Sequence, residues 1–288
     1  MDIVESKTKL KKVLDIHRAN GKVIGLVPTM GNLHDGHISL VAMAKPQCDI
    51  VATSIFVNPL QFGKNEDLSA YPRTLTEDLQ RLEQAGCDVV FIPAVSEIYA
   101  ENLDDETIIH VPGISEGYCG KSRPGHFDGV ATVVSKLFHM VSPHKAYFGL
   151  KDYQQFLVIN KMVRDLAMPI EIIGAPIKRE ASGLAMSSRN NYLSQTQRST
   201  ASVLNRVLED IKARLIAGDP NFREILDSGT ATIDATGMRT DYLAICNADD
   251  LTPADPTSQR LVVLAAAFMG ATRLIDNIRF TLKEGHKD

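Results

Sequence analysis

The sequence has no tryptophan, only four cysteines, and no marked surplus of charge of either sign. Cys48, Cys87, Cys119 and Cys246 are widely scattered with no C-x-x-C pair, a pattern that disfavours a disulfide framework or a zinc site and fits reduced thiols. Lys and Arg number 31 against 35 Asp and Glu, a formal net charge of −4. That balance gives no footprint for nucleic acid or an anionic membrane, although a basic pocket can sit inside a neutral total. The longest apolar run, Leu261 to Met269, falls far short of the ~20 residues of a membrane-spanning helix and reads as a buried strand. Residues 1 to 12 are charged and lack the apolar stretch of a secretory signal, so a cytoplasmic protein is expected, with neither membrane nor nucleic acid as partner.

What is there is an ordinary globular mixture: 288 residues, 44% hydrophobic and 23% charged, enough for one large domain or two smaller ones. Up to about residue 178 helix-like and strand-like segments alternate. Spacing predicts helices over 6–20, 36–45, 127–141 and 153–166, and one up to Gly86 opened by a capping box of Thr74 and Glu77. β-Branched or apolar runs predict strands at 22–27, 50–57, 88–93, 146–148 and 170–177. Such alternation implies a mostly parallel sheet with helices on both faces, which gathers ligands beyond the carboxyl ends of its strands. After Ile177 the rhythm changes to a long helix over 195–217 capped by Ser194, a second over 222–235, and strands at 242–246, 260–268 and 273–280. The expected organisation is therefore an α/β domain over 1–178 and a smaller C-terminal α+β domain over 179–288.

The chemistry-bearing residues cluster at strand-to-helix transitions. In Pro28-Thr29-Met30-Gly31-Asn32-Leu33-His34-Asp35-Gly36-His37, two imidazoles flank a predicted helix start, where backbone N–H groups and the helix dipole favour an anion such as phosphate. A polar turn with two surface histidines, or a metal pair, is the alternative. Phe148-Gly149-Leu150-Lys151-Asp152-Tyr153-Gln154-Gln155 offers a cation, a carboxylate and an amide one turn on, although Asp152 as a helix cap beside a solvated Lys151 would account for that pair equally. In Arg179 to Asn190, two hydroxyls and the Arg189 guanidinium suit multidentate phosphate binding, and a Ser- and Asn-rich turn is the bland counterpart. Phe56 to Phe62 and Arg123 to Phe127 add a neutral amide and a basic loop.

Six segments together, PTMGNLHDGH (28–37), FVNPLQF (56–62), YPR (71–73), RPGHFDGVATVV (123–134), AYFGLKDYQQ (146–155) and GLAMSSRNNYL (183–193), closely resemble the pantothenate synthetase family, also called pantoate–beta-alanine ligases. The resemblance runs over roughly residues 3 to 280. His34 to His37 is similar to the HxGH signature of the wider nucleotidyltransferase superfamily, and Met186 to Arg189 resembles its second phosphate loop. The resemblance implies a Rossmann-like ATP- and pantoate-binding domain, a C-terminal lid, a homodimer, and a Mg²⁺- and ATP-dependent ligation of pantoate and beta-alanine through a pantoyl adenylate. By that correspondence His34, His37, Lys151 and Arg189 are catalytic. Met30, Gly31, Asn32, Leu33, Asp35, Gly36, Gly149, Leu150, Asp152, the main chain near Lys178, Met186, Ser187 and Ser188 complete the ATP site. Gln61 and Gln155 hold pantoate, with Asn58 orienting Gln61, and Pro28, Val130, Val134 and Phe148 lie near its gem-dimethyl group. The magnesium ligands stay open among Asp67, Asp78 and phosphate oxygens alone.

Two positions depart from the family pattern: Leu150 replaces an acidic residue, and Ser182 stands where Asp is usual. The first alters local charge; the second leaves the loop one carboxylate short. A nucleotidyltransferase with a phosphate-ester acceptor would need extra Arg or Lys where Gln61 and Gln155 stand. A nucleotide-binding protein without chemistry would not need His37, Lys151 and Arg189 together.

Overall fold

A computed structural model of the chain describes residues 1–63, 66, 68–99 and 103–282. In chain order the elements are β1 (Asp2–Val4), α1 (Lys7–Ala19), β2 (Ile24–Thr29), α2 (Asp35–Ala44), β3 (Ile50–Ile55), α3 (Leu75–Gln84), β4 (Val89–Phe91), the short α4 (Val95–Ile98) and α5 (Tyr118–Ser122), α6 (His126–Val141), β5 (Lys145–Gly149), α7 (Tyr153–Asp165) and β6 (Glu171–Ala175). There follow α8 (Gln195–Ala201), α9 (Val203–Ile216), α10 (Phe222–Asp234), β7 (Arg239–Asn247), β8 (Arg260–Met269) and β9 (Thr272–Thr281).

Among the described residues the first six strands form one parallel sheet in the order β1-β4-β3-β2-β5-β6. Strand β2 pairs with β3 from Ile24↔Ile50 to Thr29↔Ile55 and with β5 at Gly25↔Lys145 and Leu26↔Ala146. Alternate strand residues Val27, Val51, Val90 and Tyr147 pack with Leu40, Val41 and Ala44 of α2 and Leu82 of α3 on one face. On the other, α6 places Phe138 edge-on to Phe148 of β5 and packs beside α1. The expected Rossmann-like sheet with helices on both faces is thus observed. Succession runs from β2 to β3 and β4 in one direction, while β5 lies on the other side of β2. The C-terminal ends of β2 and β5 therefore flank the point where strand order reverses, the place where such sheets open a crevice for ligand.

The C-terminal segment forms the expected α+β arrangement. β7, β8 and β9 make an antiparallel sheet in that order, and the run Leu261 to Met269 is its buried centre strand. Val203, Leu204, Val207, Leu208 and Ile211 of α9, with Ile225 and Ile233 of α10, pack with Leu261, Val263 and Ala265 of β8. The chain divides into two compact units, Met1–Leu150 with Gln154–Pro176, and Lys151–Tyr153 with Ile177–Asp288. Lys151, Asp152 and Tyr153 thus group with the second unit, although the expected division at 178 puts them in the first.

Two local expectations differ from the structure, and one strand was not expected at all. The helix expected over 195–217 is interrupted at Ser202, whose hydroxyl donates to Ser199 O at 2.7 Å and competes with the helical pattern. The Thr74–Glu77 capping box does not form, because the Thr74 hydroxyl donates to Asp78 instead. Strand β1, three residues long, has no periodicity to betray it; it is held by pairing with β4. No helix among the described residues is long and apolar enough to cross a membrane.

Candidate active site

The segment after β2 is tied down before it reaches α2. Thr29 Oγ1 donates to Ser54 O at 2.7 Å and accepts from Gly31 N at 3.3 Å. Gly31 and Asn32 then take left-handed backbone, φ 79° and 49°, and a Cβ on residue 31 would lie 3.1 Å from Asp78 Oδ2. Glycine therefore answers both the turn and the close approach. Asp78, on α3 and only 2% exposed, accepts Asn32 N at 2.8 Å on one oxygen and Leu33 N at 2.7 Å on the other. A buried carboxylate holding two amides is a charge-assisted anchor for the loop.

His34 and His37 close the start of α2 on each other. His34 is the N-cap: its Nδ1 accepts from Gly36 N at 3.1 Å, while His37 Nδ1 accepts from His34 N at 3.2 Å. This is a reciprocal capping box built from two imidazoles, with ring centroids 4.1 Å apart. With Nδ1 accepting in both rings, Nε2 is the proton-bearing nitrogen of each neutral imidazole, so both present an N–H donor. Two such donors at a helix N-terminus form a favourable setting for a polyanion.

Beyond β3, Asn58 caps the turn Pro59–Gln61 and donates through Nδ2 to Gln61 Oε1 and to Gly129 O, both at 3.0 Å. The turn lies so close to α6 that a Cβ on Gly129 would sit 2.3 Å from Leu60 O. Gln61 is 8% exposed, and its Nε2 lies 3.1 Å from Met30 Sδ. Its main-chain carbonyl accepts from His126 Nδ1 at 2.9 Å; His126 Nε2 in turn receives Arg123, which grips Glu66 through two 2.6 Å bonds. The sheet brings Met30 and Gln61 together; the Arg123–His126 support was legible only as a basic loop.

The adjacent glutamines of α7 differ sharply. Gln154 is buried and closes the 114–119 segment, donating to Ile114 O and Gly117 O and accepting from Cys119 N. Gln155 is half-buried, and its amide makes no hydrogen bond among the described residues. Leu150, after Gly149 at the end of β5, is buried against Gly174 of β6.

In the second unit, Asn277 Nδ2 donates to Lys151 O at 2.9 Å, and Lys151 Nζ lies 3.7 Å from Asp152 Oδ1. Lys178 O accepts from Met186 N at 2.9 Å, closing a hairpin bridged at Arg179↔Ala185. Arg179 makes a two-pronged pair with Asp276 of β9, at 2.6 and 3.0 Å, and donates to Gly183 O. Burial raises the Asp276 pKa above its ordinary value, against the opposing pull of Arg179. Ser187 Oγ accepts from Arg189 N at 3.3 Å and caps the turn Ser188–Tyr192. Ser182 Oγ accepts from Leu184 N at 3.4 Å, a hydroxyl doing weakly what a carboxylate would do there. Asp276 and Asn277 carried no local signal in the sequence, since each acts on residues about a hundred positions away or more.

Among the described residues, no group of three or more His, Cys, Asp or Glu is arranged to hold a metal ion. Of the open magnesium candidates, Asp67 lies outside the described residues, and Asp78 directs both oxygens at backbone amides. Mg²⁺ is usually held by one or two carboxylates together with substrate phosphates, so it does not require a cluster of three protein ligands.

Comparison with known proteins bears on the same residues. The family model described as pantoate-beta-alanine ligase matches residues 2–279. A pantothenate synthetase from Pseudomonas putida (strain GB-1) is 53% identical over 284 residues, covering 99% of each chain, and one from Alteromonas mediterranea is 50% identical over 281 residues, covering 98% of this chain and 100% of that one. Among solved structures, pantothenate synthetase from Thermus thermophilus matches with a TM-score of 0.91 at 43% identity over 96% of this chain and 99% of that one. Pantoate-beta-alanine ligase from Francisella tularensis, complexed with beta-gamma ATP and beta-alanine, matches with a TM-score of 0.81 at 35% identity over 96% and 97%. A strand-end loop closed by an imidazole capping box, on a chain matched along nearly its whole length, leads to one assignment: the protein is an enzyme, a ligase, and belongs to the pantoate–beta-alanine ligase family.

Proposed function

We propose that the enzyme joins pantoate and beta-alanine through a pantoyl adenylate, consuming ATP and releasing AMP and pyrophosphate. A pantoate carboxylate oxygen attacks the α-phosphorus and pyrophosphate leaves. The uncharged amine of beta-alanine then attacks the acyl carbon, AMP leaves, and the nitrogen loses a proton. The observation that carries this reading is the capping box of His34 and His37 at the start of α2, which sets two imidazoles and a helix N-terminus after β2, at the strand end where an α/β sheet binds its ligand. Charge that builds on the phosphates is met by positioned donors without a covalent enzyme intermediate.

In this reading ATP contacts Met30 to His37, Gly149 to Asp152, the main chain at Lys178 and Met186 to Arg189. His34, His37, Lys151 and Arg189 stabilise the transition state, with Ser187 and Ser188 as further donors. Gln61 and Gln155 hold pantoate. The unbonded amide of Gln155 supports that choice over Gln154, whose bonds are all internal. Neutral amides also leave the carboxylate nucleophilic, where a tight Arg pair would stabilise its ground state. The second unit is assigned the task of shielding the labile adenylate from water. Mg²⁺ is proposed from the family resemblance, where it would neutralise charge on the phosphates. A cytoplasmic homodimer is proposed on the same footing, with sedimentation as the check on assembly.

Pyrophosphate exchange into ATP tests the chemistry. Exchange is expected with pantoate present and not when it is omitted or replaced by a phosphate ester; folded protein without pantoate-dependent exchange would sink the adenylate.

A further inference from the structure

Behind Gln61 a buried polar chain continues to a residue outside every recognised segment. Asn58, 1% exposed, sits among groups whose hydrogen-bonding sense is fixed. Leu60 N–H can only donate, so at 3.3 Å it faces Oδ1; Gly129 C=O can only accept, so at 3.0 Å it faces Nδ2. The second Nδ2 hydrogen goes to Gln61 Oε1. The acceptor end of Gln61 is thereby turned toward Asn58, and its Nε2 end lies on the side of Met30.

The Tyr99 hydroxyl completes the set by donating to Asn58 Oδ1 at 2.6 Å, the shortest contact the amide makes. Tyr99 is itself buried and firmly seated. Lys136 Nζ lies 4.8 Å from its ring centroid while bonding Ile98 O at 2.9 Å and Glu106 at 2.6 Å, and Phe56 packs against the ring. Burial, with the Glu106 carboxylate in support, pushes the phenol far above its ordinary pKa, so the hydroxyl keeps its proton.

We infer that Tyr99 is a positioning residue for the substrate-facing amide: acting through Asn58, it holds Gln61 with Nε2–H toward the pantoate oxygens and Oε1 away from them. The inference rests on the reading of Gln61 as a pantoate contact. Without the hydroxyl, Asn58 Oδ1 keeps only the 3.3 Å bond to Leu60, and the side chain can swing away from Gln61. A Gln61 amide that turns over would present its carbonyl oxygen to a carboxylate.

The test compares Tyr99→Phe, Gln61→Ala and the double variant by pantoate-dependent pyrophosphate exchange, with KM for pantoate and for ATP measured separately and thermal midpoints recorded. Tyr99→Phe is expected to raise the pantoate KM about five- to tenfold, the scale of one lost neutral hydrogen bond, and to leave the ATP KM unchanged. In the Gln61→Ala background the same change should add almost nothing, because the two residues act in series. A Tyr99→Phe enzyme with wild-type pantoate KM beside an impaired Gln61→Ala enzyme would overturn the inference alone. So would equal rises in both KM values with a lowered thermal midpoint, the signature of a merely structural residue. A Gln61→Ala enzyme with wild-type pantoate KM would overturn the substrate reading of Gln61 and this inference with it.

Discussion

The loop after β2 and the hairpin from Lys178 to Asn190 both gather donors, yet they are anchored by opposite devices. The first is held by a carboxylate on neutral groups: Asp78 receives two amides and a hydroxyl. The second is held by an ion pair, Arg179 on Asp276, whose arginine also grips the hairpin carbonyl at Gly183. Both carboxylates are almost wholly buried. The difference lies in what remains when one partner goes: unpaired amides in one case, an uncompensated guanidinium in the other.

That contrast sets the order of expected effects. Asp276→Ala should cost about 3–5 kcal/mol in urea unfolding, the scale for stranding one partner of a buried pair. A loss under about 1 kcal/mol would mean that the hairpin does not depend on the pair, and the contrast would collapse. His37→Ala should slow pyrophosphate exchange by about 10² to 10³, the range for one preorganised donor. Its structural cost should stay near about 1 kcal/mol, as for a lost helix cap; a wild-type rate would remove His37 from the mechanism. Asp78→Asn sets an NH₂ group against one of two N–H donors and should cost about 1–3 kcal/mol with the Mg²⁺ dependence of exchange unmoved. A shifted Mg²⁺ titration would return Asp78 to the metal. Ser182→Ala removes only the 3.4 Å contact to Leu184 and should change stability by about 0.5 kcal/mol or less, again by urea unfolding.

Local pattern made much of this molecule legible. β2, α2 and the histidine cluster between them follow from an apolar run, a helical spacing and a motif packed into ten residues. The nine-residue apolar run became the centre strand of the second sheet for the same reason. What stayed hidden is set by topology. Asp78 reaches Asn32 across 46 positions and Tyr99 reaches Asn58 across 41, and no periodicity connects them. Histidine is not among the usual N-cap residues, so the imidazole box could be read as a donor pair but not as a cap. Gln154 and Gln155 are identical in type and adjacent, and only the fold tells which amide is occupied by the 114–119 segment.

The discontinuous second unit has a practical consequence for dissecting the enzyme. Tyr153 donates to Ala248 O at 2.6 Å and lies under the Arg279 guanidinium, 5.1 Å from ring centroid to Cζ, while Lys151 is tied to Asn277. A fragment beginning at Ile177 would lack all three residues of the Lys151–Tyr153 insertion. It would keep Ser187, Ser188 and Arg189, lose Lys151, and strip the partners from the buried Ala248 carbonyl and Asn277 amide. A working boundary for this unit cannot be made with a single cut; a chain that begins at 151 and replaces 154–176 with a short linker before 177 is the form in which it could be isolated whole.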